Sequence, residues 1–156
     1  MKKIICLFTI GIFFASSAAY AESTISELKS MRDKMFQVSV ELKTVLTKTK
    51  EVILANTLWD ASVMTVTQLD AYFIMVGIYE TIPRESRLEQ AAQYIIYWLT
   101  SVENTNDVNI KSLESMTNLT DPRLDKYVQT MKSFFQNINS LIRGEITKLK
   151  ILKIPK

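Results

Sequence analysis

Glutamates stand directly before a serine at Glu85-Ser86 and Glu114-Ser115. A carboxyl group with a raised pKa on a helix can give or take a proton in the cleavage of a sugar chain. The same glutamates also fit the exposed face or first turn of a helix, where acids favour the macrodipole. Around them the chemical inventory is thin. The chain has no histidine, and its one cysteine, Cys6, lies in an apolar run near the N-terminus. Without histidine there is no Ser-His-Asp or Cys-His relay. Ordinary zinc sites, di-iron Glu-x-x-His bundles and histidine-held haem are excluded for the same reason. No cofactor, metal site or catalytic residue is assigned.

The Glu-Ser step resembles that of lytic transglycosylases, but the Gly-Leu-Met-Gln-like segment that accompanies it there is absent. Met31 and Met35 lie one helical turn apart, a spacing that thioethers binding copper(I) use. Both fall on an apolar stripe, where methionine packs a core. Glu145 shares the register of Ile142 and Leu149. Burial of a lone carboxylate is costly, so Ile146 is expected inward and Glu145 turned toward water near Arg143 or Lys148.

The remaining candidates are aromatic and basic. Tyr72, Phe73, Tyr79, Tyr94, Tyr97 and Trp98 crowd the middle of the chain. They either fill a core or line a groove for an apolar partner. Lys148, Lys150 and Lys153 belong to a basic tail. From Arg143 onward five basic residues face one acid, Glu145. Such a tail suits an acidic partner or weak contact with an envelope surface, and equally suits a helix C-terminus. No nucleic-acid motif is present.

Helices must position these residues. Glycine and proline are scarce, and long stretches run without a breaker. Thr24-Ile25-Ser26-Glu27 reads as a capping box. Leu28, Met31, Met35, Val38, Leu42, Val45 and Val52 then follow at helical spacing, so a first long helix is expected to weaken near Asn56. A second is expected from Thr57 to about Glu80. Its segment AYFIMVGIY, 71–79, is uncharged on every face and too short by itself to span a bilayer. A third runs from the turn at Pro83 to about Val102. Asn104-Thr105-Asn106-Asp107 reads as a polar connector to a short helix over Val108–Thr117. Asp121-Pro122 marks the start of a last long helix.

Met1-Lys2-Lys3, an apolar run from Ile4 to Ala15 and Ala19-Tyr20-Ala21 have the pattern of a cleavable export signal. Cleavage near Ala21 leaves 135 of the 156 residues, enough for one domain, 22–156. It also removes Lys2 and Lys3 from the 19 basic residues, leaving 17 against 16 acidic ones. With Cys6 gone, no disulfide holds the rest. The expectation is therefore an all-α, up-down bundle of four main helices plus one short helix. Two apolar middle helices in such a bundle need more cover than one amphipathic stripe gives: either the long helices wrap them, or a protein partner or self-association covers them. The expected role is an exported periplasmic interaction protein that binds without a cofactor, with no membrane span in the mature chain. A glycan hydrolase or an aromatic-faced holdase are the alternatives.

Overall fold

The computed structural model describes residues 2–83, 86–87, 89–116 and 119–151, with side chains described between 24 and 150. It contains four helices, α1 (Lys2–Leu46), α2 (Val52–Thr81), α3 (Glu89–Ser115) and α4 (Pro122–Ile151), and no strand among the described residues. Short connections make each helix antiparallel to the next. The packed neighbours are α1 with α2, α2 with α3, α3 with α4 and α4 with α1, which closes an up-down-up-down bundle.

The core follows the stripes in the sequence. Leu28, Met35, Leu42, Leu58, Leu69, Leu99, Leu124, Phe135 and Ile142 are among its fully buried members. Each such side chain contributes about 1.5–3 kcal/mol on leaving water. Met35 is wholly inside and Met31 packs against the same cluster.

Several boundaries differ from the sequence reading. Thr24 lies inside α1 and does not cap it, because no breaker interrupts the helix there. The first helix stops at Leu46, ten residues before Asn56. Val52 belongs to α2, and Thr57 lies within that helix, its hydroxyl donating to the Ile53 carbonyl at 3.0 Å. The cause sits in the turn between them. Backbone N–H groups of Lys48 and Thr49 close on the Val45 carbonyl, and the Thr49 hydroxyl accepts from the Glu51 N–H. Glu51 does not cap α2. Its carboxylate instead crosses to the α3–α4 connection, where it accepts from the Thr120 N–H at 3.0 Å, the Thr120 hydroxyl at 2.9 Å and the Asp121 N–H at 3.2 Å. One acid thus ties the two connections at this end of the bundle.

Asp121 caps α4 as expected. Its Oδ1 accepts from the Arg123 N–H at 3.0 Å, and Pro122 opens the helix.

The short fifth helix does not exist as a separate element. Asn104 to Asp107 continue α3, which runs unbroken to Ser115. The polar residues that looked like a connector are satisfied inside the fold. Asn106 is fully buried and its Nδ2 donates to Asn139 Oδ1 of α4 at 2.8 Å. Asn139 Nδ2 donates in turn to Asp107 Oδ1 at 2.8 Å. Arg143 pairs with Glu103 one turn further along the same seam. Leu152, Lys153 and Pro155 lie outside the described residues, as do Glu85 and Leu88.

This seam makes a prediction. Asn139→Ala leaves the buried Asn106 amide without its acceptor and should cost about 1–3 kcal/mol by urea unfolding. Asn106→Leu with Asn139→Leu should recover part of that loss, because the buried amide pair is removed together and Asn106 Oδ1 has no partner even in the native pair, while Asp107 loses the Asn139 donor.

The clamp at the other seam makes a second. Hydrogen bonds from Thr120 hold the Glu51 carboxyl below its ordinary value near 4.5. A depressed folded-state pKa means that its stabilisation is complete above that value and is lost as pH falls through the folded one. Acid titration of stability should therefore be steeper for the native chain than for Glu51→Gln below pH 4.5, with the two curves meeting at low pH. Both should keep the acid sensitivity of Asp121, whose carboxyl Arg123 also holds low.

Candidate functional site

The chemistry-bearing residues do not converge. Glu114 lies on the exposed side of α3 in an ion pair with Lys132 at 2.9 Å. Among the described residues no three acids, histidines or cysteines are grouped to hold a metal ion. The feature that gathers sequence-predicted residues is a surface between α2 and α3.

Its origin is the composition of the two helices. In α2 the residues that face the core are Leu58, Ser62, Thr65, Leu69, Tyr72 and Val76. The opposite side is also apolar, and there Ile74 is 64% exposed and Ile78 is 62% exposed. In α3 the core takes Ala92, Ile95, Leu99 and Val102, while Tyr94 stands 60% exposed and Tyr97 72% exposed. Between the helices runs an open groove of about 390 Å³. Met75, Ile78, Tyr79 and Ile82 form one wall, and Ala91 and Tyr94 the other. Arg87 folds over its mouth. The guanidinium sits 5.0 Å from the Tyr79 ring centre, and Nε donates to the Ile82 carbonyl at 2.9 Å.

The predicted binding residues divide by position. Tyr79 and Tyr94 line the groove. Tyr97 stands on the outer side of α3, beyond it. Trp98 is half-buried against α2, with Nε1–H donating to the Gln68 carbonyl at 3.2 Å. Phe73 is half-buried on the α1 side, with Lys29 Nζ 5.8 Å above its ring. Tyr72 is fully buried and offers no surface to a partner. Its place in the Leu69–Tyr72–Val76 register puts it in the core, 5.5 Å from the Phe73 ring. The sequence reading omitted the aliphatic members, Ile74, Met75, Ile78 and Ile82. Their signal was present in the uncharged run 71–79.

The basic tail is also redistributed. Lys150 is exposed. Lys148 is turned into the bundle, where Nζ donates to the Thr24 hydroxyl at 2.7 Å and to Glu145 Oε2 at 3.1 Å. Glu145 is buried, contrary to the expectation that it would turn to water. The reason is the lysine one turn on, which places a cation beside the carboxylate inside the fold. Ile146 is inward as well. Burial first, and then the Glu145 charge, raise the Tyr72 phenol far above its usual range. Its hydroxyl lies near the Glu145 carboxylate but makes no well-formed hydrogen bond.

The whole of α2 is long and apolar enough to cross a bilayer, with a mean hydropathy of 1.4 in its most apolar window. That window is only 33% buried in the bundle. The sequence reading had weighed only the shorter uncharged run. Comparison with known proteins adds no identity: no family description matches this chain, and neither a curated protein nor a solved structure is significantly similar to it.

The Tyr72–Glu145–Lys148 cluster separates two kinds of buried polar group. Lys148→Met leaves the Glu145 carboxylate buried without the cation beside it and should cost about 3 kcal/mol in chemical denaturation. Tyr72→Phe removes a hydroxyl that makes no well-formed hydrogen bond and should leave stability within about 1 kcal/mol of the native chain, or raise it.

Proposed function

We propose that this chain is an exported helical interaction protein that binds through the α2–α3 face. One observation carries the reading: an uncharged surface of isoleucine, methionine and tyrosine lines an open groove between α2 and α3. Exposed apolar surfaces of this kind on a soluble protein mark contact with another molecule. The groove gives the contact shape, and the tyrosines give it hydroxyls that can pair at the rim. The partner class is a protein surface or a second copy of the chain. An accessory subunit, an inhibitor or a scaffold would each work in this way.

Export rests on the leader pattern of residues 1–21, with processing near Ala21 and residence in a bacterial periplasm. The exposed lysines of the C-terminal part, Lys150 among them, favour an acidic rim on whatever is bound, or an anionic envelope surface. That contribution weakens with salt, whereas burial of the apolar face does not.

The test places a photo-reactive benzoylphenylalanine at position 78 or, separately, at position 53. Ile53 is 86% exposed at the opposite end of α2. In cells, position 78 should give a defined cross-linked protein band and position 53 none, and the mature N-terminus should read from Glu22. Equal cross-linking at both positions, or none at 78, rejects the face as the binding surface.

A further inference from the structure

We infer that the occupant of the α2–α3 face is a second copy of this chain, packed face to face about a two-fold axis. The inference rests on the reading of this face as a binding surface and adds what binds there.

Charge is the first argument. From Ala71 to Tyr79 and from Gln90 to Val102 no residue carries a charge. A two-fold interface sets each patch against itself, so any net charge on it would meet its own sign. The two runs have none to repel, and the cation at the groove mouth, Arg87, is held by the Tyr79 ring and the Ile82 and Glu80 carbonyls. Its polar groups also suit self-pairing. Gln90, Tyr94 and Tyr97 each carry a donor and an acceptor, so each can bond to the same group of another copy. A partner chosen by charge would find nothing to read here.

Area is the second argument. Ile74, Ile78, Tyr94 and Tyr97 are 64, 62, 60 and 72% exposed. Side chains of this size at those exposures leave on the order of 600 Å² open. A stable interface takes about 800 Å² from each partner. The four residues supply most of that, and the groove beside them adds the half-buried Met75 and Tyr79. The antiparallel α2–α3 pair of one copy laid on that of another makes a four-helix layer, which repeats the packing already used within the bundle.

The surroundings argue against a lipid surface. The groove lining holds no lysine or arginine that would attract anionic headgroups. The cation nearby, Arg87, is already engaged with Tyr79 and with the Ile82 and Glu80 carbonyls.

The experiment uses the chain purified in the form in which it accumulates, in sedimentation velocity from low to high micromolar concentration. The expected result is a concentration-dependent monomer–dimer equilibrium. Ile78→Glu and, independently, Tyr94→Glu should each raise the dimer dissociation constant by about 30-fold or more. Ile53→Glu should leave it unchanged, with helical circular dichroism retained in all three. A monomer throughout the range overturns the inference, as does a dimer indifferent to both face variants. Flotation of a monomer with phosphatidylglycerol vesicles, abolished by Ile78→Glu, also overturns it and assigns the face to lipid. The two levels fail separately. A monomer whose position 78 still cross-links a different protein keeps the binding reading and loses only the second copy.

Discussion

A helix in a four-helix bundle is covered by two neighbours and shows its remaining side to water, and α2 and α3 have apolar residues on more sides than two neighbours reach. The rest of the structure is arranged around that mismatch. The amphipathic helices, α4 and the described part of α1, each spend a single stripe on the core. Leu28, Met35 and Leu42 on one side and Leu124, Met131, Phe135 and Ile142 on the other close over α2 and α3 from within. What they cannot reach is the outer surface of the middle pair, where Ile74, Ile78, Tyr94 and Tyr97 remain. Hydrophobic burial is non-directional, so no rearrangement of four helices removes this excess. The part beside the α2–α3 groove is gathered there, and Phe36, Val40, Ile53 and Val108 stand exposed elsewhere.

Concentrating it requires that the helices do not rotate or slide, and aliphatic stripes resist sliding poorly. The polar contacts inside the bundle supply the register. Arg32 grips Asp70 with two parallel hydrogen bonds of 2.8 Å, which fixes α1 against α2. Asn106 and Asn139 do the same for α3 and α4, and Trp98 on the Gln68 carbonyl for α2 and α3. Tyr127 donates to Glu41 at 2.8 Å, and Lys148 to Thr24 at 2.7 Å, across α1 and α4. Each seam thus carries a directional contact between side chains of defined geometry. Such contacts add little net stability, because both partners give up water to form them. Their effect is on which packing wins: a slipped register would strand the buried Asn106–Asn139 pair without its partner.

The helical class, the start of α4 and most core positions could be read from residue order, because periodicity and the Asp121-Pro122 step are local signals. The errors involve residues whose placement is decided by packing and not by local pattern. Asn104 to Asp107 looked like a connector because asparagine and aspartate favour turns when nothing else satisfies them. Asn106 falls in step with Leu99, Val102 and Leu113 on the core side of α3, so its register was visible, but Asn139 lies 33 residues away. Glu145 was placed outward because a lone carboxylate does not tolerate burial, and the compensation came from Lys148 folding inward, a choice of rotamer that spacing does not encode. Glu51 fell inside the expected first helix, and the partners of its carboxylate sit about seventy residues on. For the candidate face, aromatic residues drew attention and aliphatic ones did not. Tyr72 was included and proved buried, while Ile74 and Ile78, in the same uncharged run, carry the exposed surface. Composition announced an excess of apolar surface, and only packing decided which residues bear it.

The same excess bears on the proposed route of export. A chain threaded unfolded through a membrane passes α2 as a segment that meets the length and hydropathy of a span. Two aspartates, Asp60 and Asp70, interrupt it, and an aspartate near the centre of an inserting helix costs about 2.5–3.5 kcal/mol. In the folded bundle Asp70 is matched by Arg32, which stands 38 residues earlier and off the segment itself. During passage that partner is not beside it, so the charge opposes insertion at the stage when insertion would be a hazard. After folding, the same charge becomes a pin between α1 and α2. The uncharged run that follows it can then stay apolar enough to bind. On the proposed reading of export and binding, one residue reconciles an apolar face with a route across a bilayer, through a cost felt only while its partner is away.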